Sequence, residues 1–170
     1  MDTILESFLR GQQAAWEDFS PQTDAVRLTT LGPDAPPRKF VAQFSCRGLV
    51  RLPFGEISET NKFAVGIYFG DDHLRRIDPL RLVWLLEPQN VWHPNVSAPG
   101  LCVGHLRPGV GLIEILQQVY SILTYQNCNL RDYLSPEAAA WARTNLDRFP
   151  IDRRPLKRKT IPISVREEPE

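Results

Sequence analysis

A chain of 170 residues, 42% hydrophobic and 24% charged, lies in the range of a single globular domain able to bury a core. Its 20 basic and 20 acidic side chains cancel, which excludes a global electrostatic pull toward nucleic acid or a membrane surface as the basis of function. The opening Met1 to Glu6 is acidic instead of basic, and no apolar run approaches the roughly 18 residues needed to span a bilayer, so the cytoplasm is the expected location.

Residues 3 to about 19 place Leu5, Phe8, Leu9, Trp16 and Phe19 at helical spacing, and Thr3 with Glu6 has the pattern of a capping box. An amphipathic helix is expected to open the chain. Val26 and Leu28 then alternate with Arg27 and Thr29 before the breaker Gly32-Pro33, which reads as a strand. Phe40, Ala42, Phe44 and Cys46 alternate with Val41, Gln43, Ser45 and Arg47, and Phe63, Val65, Ile67 and Phe69 form a second period-two run. Both read as strands with one buried face. The nearly continuous apolar run Leu80 to Leu86, bounded by Pro79 and Pro88, is too short for a helix and reads as a fourth, covered strand.

From Glu87 to Gly111 the chain is dense in Pro, Gly, Asn and His, a long irregular segment of the kind that usually carries function. Leu112, Ile115, Leu116, Val119, Tyr120 and Leu123 then line one face of a helix. Ser135-Pro136-Glu137 starts a last helix that is expected to run to about Leu146, with Trp141 and Phe149 as anchors. Beyond Pro150 the chain turns basic (Arg153, Arg154, Lys157, Arg158, Lys159) and then acidic (Glu167, Glu168, Glu170), the composition of a mobile or loosely docked, solvated tail. The expected class is therefore α+β: an N-terminal helix, a four-stranded antiparallel meander, a long loop and two C-terminal helices, with a domain over 1–150 and a tail over 151–170.

The three cysteines, Cys46, Cys102 and Cys128, are an odd number in no repeating pattern and are expected as free thiols. Cys102 stands apart because it lies in the polar loop, close in sequence to His93, Asn95 and His105. A reactive thiol needs such exposure and polar surroundings. The stretch Trp92-His93-Pro94-Asn95-Val96 through Gly100-Leu101-Cys102 resembles the His-Pro-Asn motif and active-site cysteine of ubiquitin-conjugating E2 enzymes. Tyr133-Leu134-Ser135-Pro136-Glu137-Ala138-Ala139 is similar to the E2 segment that opens the next helix, and the order of elements resembles the family over about residues 3–149.

That resemblance implies the E2 (UBC-like) fold and an acyl relay. Cys102 would accept ubiquitin or a ubiquitin-like protein as a thioester from an E1-like activating enzyme and pass it to an amine, such as a lysine, of a protein target. No cofactor, metal, nucleic acid or membrane is implied. In the family the motif asparagine, here Asn95, either stabilises the oxyanion or holds the loop that does so, and a loop acid, here Asp132, orients the attacking lysine. His93 and Pro94 are expected to be structural.

The chain departs from the family in carrying Val103-Gly104-His105 after Cys102, Arg131 where the first of two loop acids is usual, and a basic tail in place of the last helix. The shortened form resembles stand-alone E2-like proteins of bacteria. Arginine supplies 16 of the basic residues and lysine four (Lys39, Lys62, Lys157, Lys159), which reads either as codon bias or as scarcity of amines that a bound acyl group would modify. His105 reads equally as a general base or as a solvated residue. A metal site built from His93, Cys102, His105 and Cys128 lacks the second paired motif usual for zinc, and a cysteine–histidine hydrolase lacks a recognisable third orienting group. A non-catalytic E2-like adaptor is the alternative, against which stand the retained Cys102 and Asn95.

Overall fold

The computed structural model describes residues 3–158. Helix α1 (Thr3–Phe19) buries Leu5, Leu9 and Phe19 along one stripe and leaves the opposite side exposed, as the spacing demands. On that exposed side Arg10 pairs with Glu6 one turn earlier, at 2.6 Å. Four strands form the expected meander: β1 (Val26–Leu31), β2 (Lys39–Phe44), β5 (Phe63–Tyr68) and β6 (Val83–Glu87), each antiparallel to the next. Their inward residues, among them Phe40, Ala42, Phe44, Val65, Ile67, Val83 and Leu85, form one core with α1 and with α3 (Leu112–Leu123).

Helix α3 begins at Gly111, which has no capping side chain; Gln12 of α1 substitutes for it, its Oε1 accepting from the Leu112 N–H at 2.7 Å. The two helices are thereby fixed to each other as well as to the sheet. Helix α4 (Pro136–Arg143) starts as expected, with the Ser135 hydroxyl accepting from the Ala138 N–H, but ends before Leu146, where a short 3-10 turn takes over.

Three expectations need correction. The apolar run Leu80 to Leu86 divides: Pro79–Leu82 is a helical turn, α2, whose N-cap Asp78 accepts from the Leu80 N–H at 3.1 Å, and the strand begins at Val83. An acid followed by proline is a helix-start pair, and here it outweighs the strand preference of the following residues. The sheet, among the described residues, has six strands instead of four, in the order β1-β2-β5-β6-β8-β7. The added pair, β7 (Val96–Ser97) and β8 (Gly100–Leu101), lies inside the segment that composition marks as irregular.

A separate hairpin, β3 (Gly48–Arg51) with β4 (Ile57–Thr60), also escapes the periodicity argument because its strands are short and partly polar. It anchors a second, smaller core of Leu49, Trp92, Tyr125, Ala138 and Ile151, against which the expected anchors Trp141 and Phe149 pack. Gly48 sits where a Cβ would come within 2.4 Å of the Leu123 carbonyl, so the hairpin enters hard against the end of α3.

The third correction concerns the tail. Residues 151–158 belong to the folded body: Ile151 and Leu156 are buried, and Asp152 is 1% exposed. The Asp152 carboxylate accepts from the Arg47 backbone N–H at 3.0 Å and from the Arg154 guanidinium at 2.7 Å, and Arg158 pairs with Asp24 at 2.9 Å. Composition marks the segment as solvated, but Asp152, Arg154 and Arg158 each have a specific partner, while Arg153 and Lys157 are exposed. The remainder of the expected tail, residues 159–170, lies outside the described residues.

Burial acts to raise the pKa of Asp152, but hydrogen bonds from Arg154 and the Arg47 N–H prevail and hold it below the usual carboxylate range. Its stabilising effect is therefore complete above the unfolded value and is lost as pH falls from about 4 toward the depressed folded value. Asp152→Ala is expected to cost about 2–3 kcal/mol near neutrality, since hydrogen bonds to a charged group are lost and the Arg47 N–H is orphaned. In urea titrations the gap between variant and parent should shrink below roughly pH 4; a constant gap would count against the assignment.

Candidate active site

Cys102 owes its position to the β7–β8 hairpin. Val96 pairs with Leu101 and Ser97 with Gly100, while Gly100 also pairs with Trp84 and the Pro99 carbonyl accepts from the Leu85 N–H at 2.8 Å. The hairpin thus extends the main sheet from β6. Val96, Leu101 and Val103 face the main core, so alternation turns the intervening Cys102 away from it, and the residue is half-buried. Its N–H donates to the Asn95 carbonyl at 2.9 Å, which continues the hairpin ladder by one step and sets Cys102 opposite Asn95.

Asn95 itself is 3% exposed. Its Nδ2 donates to the Asp132 carbonyl at 2.8 Å and to the Asn129 carbonyl at 3.2 Å, and its Oδ1 accepts from the Asn129 N–H at 2.9 Å. The amide therefore joins the cysteine-bearing segment to the loop ahead of α4. Pro94 adds to the same seam, its carbonyl accepting from the N–H groups of Leu134 and Ser135 at 2.8 and 2.9 Å. On the far side of the loop the Arg143 guanidinium donates to the Leu130 carbonyl at 2.8 Å and lies over the Tyr133 ring. Asp132 is held by its backbone while the residue as a whole is exposed.

His93 is 1% exposed, and its Nδ1 accepts from the Asn95 N–H at 3.0 Å, which fixes the turn of the motif. The neutral ring consequently carries its proton on Nε2, for which no acceptor in hydrogen-bonding geometry is present among the described residues. Burial pushes its pKa down to about 3, against an opposing pull from the Asn127 backbone. The ring stands edge-on to Tyr125 at 4.3 Å between centroids.

Tyr125 is a residue that sequence reasoning misses. Its backbone has φ +59, its hydroxyl donates to the Trp92 carbonyl, and its ring stacks on Phe149 at 4.4 Å. The signal was an aromatic residue just past a helix end, which periodicity counts as one more apolar position. Arg51 is another: it pairs with Glu137 at the start of α4 and its guanidinium lies 5.1 Å over the Trp92 ring, so the β3–β4 hairpin walls the approach to Ser97 and Ala98.

His105 is exposed beyond Gly104, and among the described residues no hydrogen bond joins it to Cys102. Burial raises the Cys46 thiol to about 12, with Asp152 adding to the shift, and raises Cys128 to about 11. Both are held as thiols at neutral pH. Among the described residues no group of three or more His, Cys, Asp or Glu side chains is placed to hold a metal ion, and no helix is long and apolar enough to cross a membrane. No protein-family model matches the chain, and no curated protein is significantly similar to it.

Two measurements follow from the seam. Asn95→Ala leaves the Asn129 N–H without its acceptor and should lower stability by about 1–3 kcal/mol, with faster hydrogen exchange at Asn129. Asn95→Asp should not restore it, because a carboxylate would face the Asn129 and Asp132 carbonyls. For His93, a folded pKa of about 3 against an ordinary 6.5 means that the unfolded chain takes the proton first. Stability should therefore fall as pH drops below roughly 6.5, and the imidazole resonances should not titrate between about pH 5 and 8. A titration midpoint within that window would contradict the burial.

Proposed function

We propose that the protein has an E2-type (UBC-like) fold and relays an activated acyl group. Cys102 thiolate attacks the thioester carbonyl that an E1-like enzyme presents at the C-terminus of ubiquitin or a ubiquitin-like protein. The E1 thiolate leaves, and the acyl group is then held on Cys102. An amine of the protein target attacks the same carbonyl and loses its proton, and Cys102 leaves as thiolate. The observation that carries this reading is the seam at Asn95: a half-exposed cysteine is hydrogen-bonded through its N–H to a residue whose side chain fastens the loop bearing Asp132. Nucleophile loop and acceptor loop are thus held at one buried amide.

The helix, the β1-β2-β5-β6 meander and the two later helices support the fold assignment. Every side-chain hydrogen bond of Asn95 runs to the 129–132 loop, which favours the loop-holding role over direct donation to an oxyanion. Asp132 would then orient the incoming amine from the exposed side of that loop.

The test mixes the protein with a candidate E1, its ubiquitin-like substrate and ATP, followed by a gel without reductant. A thiol-sensitive adduct is expected, replaced in Cys102→Ser by a thiol-resistant ester or by none. An adduct indifferent to that substitution would overturn the reading. Binding of the ubiquitin-like protein without any adduct would instead favour a non-catalytic adaptor. Asn95→Ala should form the thioester yet discharge it onto free lysine more slowly, by about tenfold or more if the loop is released.

A further inference from the structure

We propose that Asn129 is a positioning residue for amine transfer, setting the place of Asp132 relative to Cys102; this rests on the conjugating reading above. Its side-chain Oδ1 accepts from the N–H of Arg131 at 2.9 Å and of Asp132 at 3.1 Å. The side chain thereby closes a tight turn on the backbone that follows it. The main chain of the same residue pairs reciprocally with Asn95, its N–H donating to Oδ1 and its carbonyl accepting from Nδ2.

The two asparagines therefore act in series. Asn95 reaches the Asp132 carbonyl, at 2.8 Å, and the turn that Asn129 closes is what brings this carbonyl round to the Nδ2 group already bonded to Asn129. No helix or strand covers residues 129–132, so these bonds replace a ladder in fixing the backbone from which the Asp132 side chain projects. Cys102 is referred to the same point through its N–H bond to the Asn95 carbonyl. The path from thiol to acid thus runs through Asn95 and Asn129.

Asn129 is exposed and belongs to neither core, so its loss should act on the loop and not on the fold. Within the turn, what matters is an acceptor oxygen at the side-chain position, which aspartate also supplies and alanine does not.

The experiment compares the full chain with Asn129→Ala and Asn129→Asp in single-turnover discharge of the Cys102 thioester. Discharge onto lysine should fall at least about fivefold in Asn129→Ala and return to within about twofold of the parent in Asn129→Asp. Hydroxylamine, reactive at neutral pH without deprotonation, should discharge all three at similar rates. Equal lysine rates in the parent and Asn129→Ala, failure of aspartate to rescue, or an equal slowing toward hydroxylamine would each overturn the proposal.

Amide hydrogen exchange supplies an arm that does not need a thioester. Arg131 and Asp132 should lose protection in Asn129→Ala and keep it in Asn129→Asp, and unchanged protection in the alanine variant would overturn the turn-closing role. A parent chain that forms no thioester while showing this exchange pattern would sink the conjugating reading and, with it, the transfer role of Asn129, leaving the turn itself established.

Discussion

The arrangement around Cys102 depends on a single buried carboxamide. Asn95 is 3% exposed, and its oxygen and nitrogen are both engaged by backbone groups of residues 129–132, more than 30 positions further along the chain. A buried amide without partners costs roughly 1–3 kcal/mol, so the segment around Asn95 and the distant loop are each most stable when docked on the other. The Cys102 N–H and the Pro94 carbonyl join the same seam. The backbone of the Cys102 segment is in this way tied to that of the 129–132 loop.

The seam lies where two cores meet. Val96, Leu101 and Val103 pack into the larger core beneath the sheet, whereas Trp92 packs into the smaller one with Leu49, Tyr125 and Ala138. His93 bridges the change, its ring against Tyr125 and its Nδ1 bonded to the Asn95 N–H. With apolar side chains secured on both sides, the motif has little freedom to relax, which is the rigidity that a preorganised site needs. The loop residues Arg131 and Asp132, by contrast, are exposed and held by hydrogen bonds alone. Local opening should therefore begin there.

The segment after Pro150 shows how charge patterning can mislead. Arg154 and Arg158 read as a solvated basic run, yet each has a carboxylate partner, and Leu156 between them is 1% exposed. The Asp152 carboxylate also takes the Arg47 N–H, so the docked strand of chain closes over the residues that lead into the β3–β4 hairpin. Removal of this segment would uncover both cores, since Ile151 belongs to the smaller and Leu156 to the larger.

What the sequence alone determined was everything that repeats with a local period or sits in a compact motif. The amphipathic faces of α1 and α3, the alternation in β1 and β2 and the Ser135-Pro136 helix start were legible because each depends on neighbours a few residues apart; β5, expected to bury one face, buries both over residues 63–67. Short strands such as β7 and β8, the partly polar β3–β4 hairpin and the docking of 151–158 were not legible. Each is also held by partners distant in sequence, such as Gly100 on Trp84, Trp92 on Leu49 and Asp152 on Arg47, and no local pattern encodes those. The same holds at the site. The resemblance to the conjugating-enzyme family pointed to a thiol, an amide and an acid, but only the tertiary structure decided that the amide is spent on the acid's backbone, because a buried group's role is fixed by which acceptors surround it.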